Sequence, residues 1–272
     1  MVKLVGVGDN TVDRYISLNR MFPGGNAVNV AVLARRYGHE TGYIGWLGDD
    51  LHGKLLYNSL KKETVDISHC RMVKGPNSYC EVNLISGERV FGKSISGVSS
   101  QINLEKDDFG YISKYDITHT SMYSYIEEQL TELSQASNLL SFDYSDKWSK
   151  DYLKKTIPYV DIAFLSGSEL SREKADDLLK WIYERGASLV VLTQGMKGSL
   201  LYNGEKIYHQ QVFETEVVDT LGAGDAYAAR LLVEYLSGKP MELCLKLASF
   251  SASETCGYYG AWNHGAPLWD FN

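Results

Sequence analysis

Residues 219–225 read Asp-Thr-Leu-Gly-Ala-Gly-Asp, between a β-branched stretch and an apolar one. Gly222, Ala223 and Gly224 can turn successive backbone N–H groups toward an anion, and the helix expected to follow points its positive end at the same place. Donors preset in this way stabilise the charge on a transferring phosphoryl group. Asp225 then lies at the start of the helix, placed to accept a proton from an attacking hydroxyl. A plain helix N-cap is the competing interpretation of Asp225, and the complete strand–turn–helix string favours the catalytic one.

A second glycine-containing stretch lies near the N-terminus, where residues 24–31 read Gly-Gly-Asn-Ala-Val-Asn-Val-Ala. Gly24 and Gly25 permit a ligand to approach the backbone closely. Asn26 and Asn29 are three residues apart and share a helical face, so both amides can bind sugar hydroxyls. An ordinary Gly-Gly turn followed by an Asn N-cap explains the same pattern equally well.

Two acidic residues follow a predicted buried strand at residues 3–7. Asp13 can accept hydrogen bonds from ligand hydroxyls, and Asp9 lies in the same segment. The start of this segment also resembles a dinucleotide-binding fingerprint. Its third glycine is replaced by Thr11, which disfavours a nicotinamide-dependent oxidoreductase.

A fourth segment, Thr193-Gln-Gly195-Met-Lys-Gly198, follows a predicted strand at residues 189–193. Glycines at these positions let a nucleotide approach the backbone. Taken alone, the segment is better explained as a tight turn between two strands. The chain contains no Walker-A sequence that would bind phosphates in another way.

The composition of the chain argues against several classes of protein. The chain has 272 residues, 44% of them hydrophobic, and a formal net charge of −7, which is typical of a globular protein with one sizeable core. It has no long basic run, so we expect no nucleic-acid partner. We expect neither a signal peptide nor a membrane helix. The four cysteines lack metal-binding or redox spacing, which favours a cytoplasmic location.

Strands and helices alternate along most of the chain, and this order predicts an α/β fold with a mainly parallel sheet covered by helices on both faces. Between Cys70 and Ser96, alternating apolar and polar residues around Ser86-Gly87 predict a β-hairpin in a small appendage. The predicted strands of the main sheet are 3–7, 41–45, 117–119, 139–143, 162–165, 189–193, 199–202 and 212–218. The predicted helices are 26–37, 51–63, 127–136, 150–156, 168–185, 226–237 and 241–255.

Together these segments resemble the ribokinase/phosphofructokinase-B family of carbohydrate kinases. The matching residues occur in the family's order over nearly the whole chain: Gly24-Gly25, the glycine-containing stretch 45–53, the segment 193–198 and the heptapeptide 219–225. The resemblance implies one three-layer αβα domain over residues 1–272. It also implies a small β-sheet lid, formed by about residues 13–22 and 70–98, that closes over the sugar and forms a homodimer contact.

The resemblance also implies roles for individual residues, with ATP and Mg²⁺ as cofactors, and it leaves a monovalent cation such as K⁺ open as a third. The implied catalytic residues are Asp225 as base and Gly222, Ala223 and Gly224 as anion hole. The implied substrate-binding residues are Asp9, Asp13, Gly24, Gly25, Asn26, Asn29 and Arg89. The implied nucleotide-binding residues are Thr193, Gly195, Gly198, Asp219, Thr220, Gly222 and Gly224, and Glu169 is implied as an indirect contact of Mg²⁺.

Two positions depart from the family's pattern. Ser166 stands where an Asn usually precedes the Glu by three residues, and Arg230 stands where the family tends to have Gly five residues after the base. The first departure bears on the metal contact of Glu169. The second places a large side chain in the helix that follows the heptapeptide.

Three further segments, 89–92, 142–148 and 260–262, resemble the members of this family that phosphorylate fructosamines. That resemblance implies transfer of the γ-phosphate of ATP to the 6-hydroxyl of fructoselysine. Two alternatives stay open at this point. One is a kinase for another sugar or nucleoside, and the other is a non-catalytic protein that binds a sugar or a nucleotide.

Overall fold

A computed structural model describes residues 1–85 and 88–268, without the side chains of residues 84, 85 and 88–90. The strands are β1 (Lys3–Val7), β2 (Thr11–Tyr15), β3 (Arg20–Gly24), β4 (Glu40–Ile44), β5 (Trp46–Gly48), β6 (Arg71–Val73), β7 (Tyr79–Ile85), β8 (Glu88–Ile95), β9 (Ile117–Ser121), β10 (Leu140–Asp143), β11 (Ile162–Ser166), β12 (Leu189–Thr193), β13 (Ser199–Tyr202), β14 (Ile207–Gln210) and β15 (Ala266–Pro267). The α-helices are α1 (Asn26–Arg36), α2 (Leu51–Lys62), α3 (Lys106–Ile112), α4 (Leu130–Ala136), α5 (Lys150–Thr156), α6 (Arg172–Tyr183), α7 (Ala223–Leu236) and α8 (Met241–Thr255).

The main sheet contains eight strands in the order β14-β13-β12-β11-β10-β9-β1-β4. All pairs from β12 to β4 are parallel, and β13 and β14 add an antiparallel edge. Neighbouring residues of a strand face opposite sides of a sheet, and both sides are covered here. The predicted α/β class with a mainly parallel central sheet is therefore confirmed.

Each face of this sheet packs against its own set of helices. Leu4 and Ile162 belong to a core with residues of α1, α2, α7 and α8. Val5 and Ala163, the next residues of the same strands, belong to a second core with residues of α3, α4, α5 and α6. This alternation gives the three-layer αβα arrangement that the sequence predicts.

A second sheet of five strands has the order β15-β3-β2-β7-β8. Tyr15, Phe22 and Val82 form its buried apolar centre, and Tyr15 packs edge-on against Phe22 with ring centroids 5.3 Å apart. This small sheet contains the predicted hairpin, whose turn at Ser86-Gly87 lies outside the described residues. β6, within the predicted appendage, pairs instead with β5 in a separate two-stranded sheet.

The predicted strand at 212–218 is wrong. Residues 211–217 have no regular secondary structure, and the sheet edge is occupied by β14 instead. The segment has β-branched and aromatic residues because it packs on α8: the ring of Phe213 meets that of Phe250 at 5.6 Å. The backbone N–H groups of Val218 and Asp219 donate to the carbonyl of Cys256 rather than to a strand.

Several helix boundaries also differ from the prediction, and α4 begins at Leu130 after a short 3-10 turn rather than at 127. α3 was not predicted, and its seven residues carry a capping box rather than a long apolar pattern. α6 begins at Arg172 because Ser171 caps it through its side chain, so the predicted start at 168 is wrong. α7 begins at Ala223 rather than 226, which places Asp225 in its first turn. No helix in the described part of the chain has the length and apolar character needed to cross a membrane.

Arg230 lies in α7 and forms part of an ionic group around the nearly buried carboxylate of Glu234. Its guanidinium is 2.7 Å from Glu234, whose side chain is 5% exposed, and packs over the ring of Tyr37 at 4.7 Å. Lys239 also contacts Glu234, at 2.5 Å. The large side chain at position 230 therefore joins α7 to the end of α1.

We expect Arg230→Ala to lower the free energy of unfolding by about 1–2 kcal/mol, because a shielded carboxylate loses one of its charged donors. Lys154→Ala is the matched control. Its pair with Asp151 is exposed, so its removal should change stability by less than about 0.5 kcal/mol. Urea unfolding of both variants measures the difference, and equal values would contradict the assignment.

Candidate active site

Polar residues collect at the carboxyl edge of the main sheet, where its parallel strands end. β9, β10, β11 and β12 end in Ser121, Asp143, Ser166 and Thr193. In an open α/β sheet, ligands bind in the crevice outside this edge. The N-termini of α1 and α7 meet at the same place, since side chains of their first turns are hydrogen-bonded to each other.

The N-terminus of α1 is satisfied by Asp9 from the loop after β1. Its carboxylate oxygens accept the backbone N–H groups of Asn26 at 2.6 Å and Ala27 at 3.1 Å. The hydroxyls of Ser121 and Ser124 donate to the same carboxylate at 2.8 and 3.0 Å. Gly25, the N-cap residue, has no side chain for this task, so Asp9 supplies it from elsewhere in the sequence. Asp9 thus positions α1, and its predicted contact with a substrate stays a prediction.

Asp225 is held by the two asparagines of α1. Asn26 Nδ2 donates to one carboxylate oxygen at 2.7 Å and Asn29 Nδ2 donates to the other at 2.6 Å. The helical spacing that places both amides on one face of α1 therefore serves the carboxylate of α7. Three predicted site residues, from segments almost 200 positions apart in the chain, meet at these contacts.

Asp143, at the end of β10, is a member of the site that the sequence did not assign. Asn26 Nδ2 donates to it at 2.9 Å, so this amide bridges Asp143 and Asp225. Its position at the end of a parallel strand is the signal that could have identified it. The segment 142–148 that contains it entered the sequence analysis only as a resemblance.

Two further residues that the sequence did not assign lie behind the asparagines. His119 Nε2 is 2.9 Å from Asn26 Oδ1, and Trp262 Nε1 donates to Asn29 Oδ1 at 2.7 Å. Both side chains are fully buried. These contacts join residues separated by 93 and 233 positions. Trp262 lies in the segment 260–262, which the sequence marks only through a family resemblance, and no local pattern indicates His119.

The acidic side chains have unusual proton affinities. Burial raises the pKa of Asp225 to about 7, opposed by the hydrogen bond from Asn29 and increased by the charges of Asp143 and Asp9. Burial likewise raises the pKa of Asp143 to about 6. A carboxylate with a pKa near 7 is suited to accept a proton at neutral pH.

The heptapeptide forms a turn that opens α7. Gly222 is the N-cap, with a left-handed φ of 80°, and Asp219 braces the turn by accepting the N–H of Leu221 at 3.0 Å. The N–H of Ala223 donates to the carbonyl of Thr220 at 3.3 Å, and the first α-helical bond is made by Ala226.

The intervening amides of Gly224 and Asp225 have no acceptor in the helix. They are therefore the donors best placed for an anion. A Cβ atom built on Gly224 would meet no atom within 4 Å. The cradle is thus open on this side and fits a phosphate group.

The small sheet places the carboxylate of Asp13 beside Gly24, two residues before α1. A Cβ atom on Gly24 would lie 2.3 Å from Asp13 Oδ2, so only glycine at position 24 leaves space for this carboxylate. Tyr15 of the same strand donates its hydroxyl to Asp219, which ties the small sheet to the turn before α7. Arg89 lies in β8, but its side chain is outside the described residues.

The segment at 193–198 lies beyond β12 and is a tight turn into the antiparallel β13. Thr193 Oγ1 is 3.1 Å from Ser166 Oγ of the neighbouring strand. Gly195 has open space where a Cβ atom would be. Gly198 has a φ of 88°, and a Cβ atom there would be 2.1 Å from the Gln210 carbonyl oxygen. No contact that the structure describes joins these residues to Asp225.

Glu169 is exposed and follows β11. Within residues 1–85 and 88–268, no group of three His, Cys, Asp or Glu side chains has an arrangement that could hold a metal ion. Mg²⁺ is commonly bound by one or two carboxylates together with substrate phosphates. A single exposed carboxylate after β11 is compatible with this mode of binding and does not form a complete cage.

Residues 3–267 match the model of the pfkB family carbohydrate kinases, and the chain belongs to this family. It is therefore a carbohydrate kinase. The sequence is 41% identical over 270 residues to fructosamine kinase FrlD of Bacillus subtilis, covering 98% of this chain and 95% of that protein. It is 37% identical over 262 residues to fructoselysine 6-kinase of Escherichia coli, covering 96% and 100%.

Solved structures confirm the ribokinase-like fold. Arabidopsis thaliana ribokinase, complexed with ribose and ATP, superimposes with a TM-score of 0.84 at 23% identity, covering 97% of this chain and 95% of that one. Thermotoga maritima ribokinase gives 0.79 at 20% identity, covering 100% and 98%.

We expect Gly222→Ala to destabilise the protein and Gly224→Ala to leave its melting temperature nearly unchanged. The first substitution forces a side chain into a left-handed conformation and places its Cβ atom 2.4 Å from that of Ala261. The second adds a methyl group to open space. Thermal unfolding of the two variants measures the difference, and similar melting temperatures would contradict the described turn.

Proposed function

We propose that this carbohydrate kinase transfers the γ-phosphate of ATP to the 6-hydroxyl of fructoselysine, giving fructoselysine 6-phosphate and ADP. Asp225 carries the chemical part of this proposal, because its carboxylate is gripped by two amides, has a pKa near 7 and adjoins an open phosphate cradle. The acceptor is supported by the two relatives at 41% and 37% identity, which are a fructosamine kinase and a fructoselysine 6-kinase.

Asp225 acts as general base in this proposal. It accepts the proton of the 6-hydroxyl while the oxygen forms a bond to the γ-phosphorus, and the bond from that phosphorus to the bridging oxygen of ADP breaks. The proton remains on Asp225 until the product leaves. A base placed in this way contributes about 10²–10⁴-fold in rate.

The amides at the start of α7 stabilise the charge that develops on the transferring phosphoryl group. The positive end of α7 and the N–H groups of Gly224 and Asp225 point to the same side. Mg²⁺, when bound with ATP, neutralises phosphate charge. We assign Glu169 of this chain to an indirect contact with that Mg²⁺. The segment with Thr193, Gly195 and Gly198 is assigned to the nucleotide, and a requirement for K⁺ stays a prediction.

The sugar is assigned to the space between the small sheet and the first turn of α1. Asp13 and Asn29 are assigned to polar contacts with it. Gly24 and Gly25 are assigned to the wall beside it, where Gly24 leaves room for the Asp13 carboxylate and Gly25 for the backbone of Asn10. The bond from Tyr15 to Asp219 links the small sheet directly to the catalytic turn. We therefore propose that this sheet is a lid on a single kinase domain, and that its closure excludes water from the reaction.

The lid is also the proposed dimer contact. β8 is the edge strand of the small sheet, and Phe91 on it is 58% exposed. An exposed edge strand pairs readily with another chain, and a large apolar side chain adds contact area. A homodimer through this edge and a cytoplasmic location remain part of the proposal.

We expect Asp225→Asn to reduce phosphoryl transfer by about 10²-fold or more while leaving sugar binding nearly intact, because an amide cannot accept the proton. Single-turnover ADP formation and calorimetric titration with the sugar measure the two quantities. A variant that keeps more than about a tenth of the wild-type rate would show that Asp225 is not the base.

We expect fructoselysine to give a higher kcat/KM than free fructose, ribose or cytidine in an assay of ADP release. The Asp225→Asn variant provides the background of uncoupled ATP hydrolysis. A clear preference for fructose or ribose would contradict the proposed acceptor and leave the family assignment intact. If none of these acceptors stimulates ADP release above the background, both the proposed acceptor and the proposed reaction are contradicted.

A further inference from the structure

Behind the two asparagines that grip Asp225 lie two ring N–H donors from distant parts of the chain. Trp262, which follows α8, donates to Asn29 Oδ1 at 2.7 Å. His119, on β9, contacts Asn26 Oδ1 at 2.9 Å. Neither ring is bonded to Asp225 in the described contacts, so each acts on the carboxylate only through an amide.

The orientation of Asn29 is determined by Trp262. An indole N–H can only donate, so the amide oxygen of Asn29 must face it. The amide nitrogen is then turned to Asp225, where it donates at 2.6 Å. Without the indole N–H, the buried amide oxygen would lose this donor, and the amide could rotate so that its nitrogen no longer donates well to the carboxylate.

The orientation of Asn26 is determined in the same way by His119. The amide nitrogen faces two carboxylates, Asp143 and Asp225, which only accept when ionised. Asn26 Oδ1 therefore faces His119, whose Nε2 must carry a hydrogen. Its Nδ1 is 2.9 Å from the hydroxyl of Ser141, which can donate to it.

Burial keeps this histidine neutral, since it lowers the pKa of His119 to about 3. The alternation of side chains along the strands explains why these groups share a face. Leu140 and Phe142 point to the core formed with α3–α6, and therefore Ser141 and Asp143 point to the opposite side, toward α1. His119 is on that side too, because Ile117 belongs to the core formed with α1 and α7.

We propose that His119 and Trp262 are positioning residues for phosphoryl transfer, which hold the amides of Asn26 and Asn29 with their N–H groups directed at the general base. This inference rests on the proposed role of Asp225. It adds two residues that never touch the substrate but determine how the catalytic carboxylate is presented to it.

The orientation of the two amides affects how readily Asp225 ionises. Its carboxylate faces Asp143 from the end of β10 and Asp9 from the loop after β1, and both charges disfavour ionisation. The two amide N–H groups oppose this effect. Loss of either orienting ring should therefore raise the pKa of Asp225 and move the acid limb of the pH–rate profile to higher pH.

The test is the pH dependence of kcat for wild type, Trp262→Phe, His119→Leu and His119→Gln. We expect Trp262→Phe to move the acid limb up by about one pH unit, as expected for one lost hydrogen bond to a charged group, with KM for ATP unchanged. His119→Leu should move it at least as far, because Asn26 also serves Asp143. His119→Gln keeps a donor near the position of Nε2 and should restore much of the wild-type profile.

Trp181→Phe is the matched control, because this ring lies on α6 against Arg185, 3.8 Å from the guanidinium. It should leave the limb in place. A uniform fall of kcat at every pH, with an unmoved limb in Trp262→Phe and both His119 variants, would indicate a merely structural role and overturn the proposal. If Asp225→Asn is active or the wild type has no acid limb, the base assignment itself fails, which is a separate outcome.

If a variant that lacks the ring N–H donor does not fold, a measurement on the wild-type protein still tests the inference. Nitrogen-15 NMR of the imidazole should show His119 as the neutral tautomer protonated at Nε2 between about pH 5.5 and 8.5, since its pKa lies far below this range. The Nδ1-protonated tautomer, or a protonated imidazolium in this range, would overturn the inference.

Discussion

The structure depends on the placement of one carboxylate between two amides in a poorly solvated position. Asp225 would be protonated at neutral pH if burial and its acidic neighbours acted alone, since both raise its pKa. The N–H groups of Asn26 and Asn29 oppose them. The resulting pKa near neutrality suits the proposed role of general base, which must be ionised before the reaction and carry a proton after it.

The two helix N-termini that meet at Asp225 differ in how their first-turn N–H groups are satisfied. Asp9, itself held by two serine hydroxyls, accepts two N–H groups of the first turn of α1, so that end has little need of an added anion. The N-cap residue Gly222 has no side-chain cap for the first turn of α7 in the described part of the chain, and the space beside Gly224 is open. This difference supports the proposal that an anionic phosphate binds at α7, next to the proposed base. The close approach of α1 to the sheet also depends on Gly6, where a Cβ atom would lie 2.3 Å from the Ala27 carbonyl oxygen.

The sequence predicted the features whose signals are local. The heptapeptide identified the turn and Asp225, the spacing of Asn26 and Asn29 identified a shared face, and strand–helix alternation identified the three layers. It did not identify His119 or Trp262, because their contacts span 93 and 233 positions and each residue alone is typical of a buried core. The predicted strand at 212–218 failed for a related reason: its composition reflects packing on α8 rather than pairing in the sheet.

The most direct measurement of the central claim is a crystal structure with a non-hydrolysable ATP analogue and fructoselysine bound together. We expect the terminal phosphate to contact the amides at the start of α7 and the 6-hydroxyl to lie about 2.6–3.2 Å from a carboxylate oxygen of Asp225. A terminal phosphate directed away from this turn, or a 6-hydroxyl that approaches a different base, would contradict it.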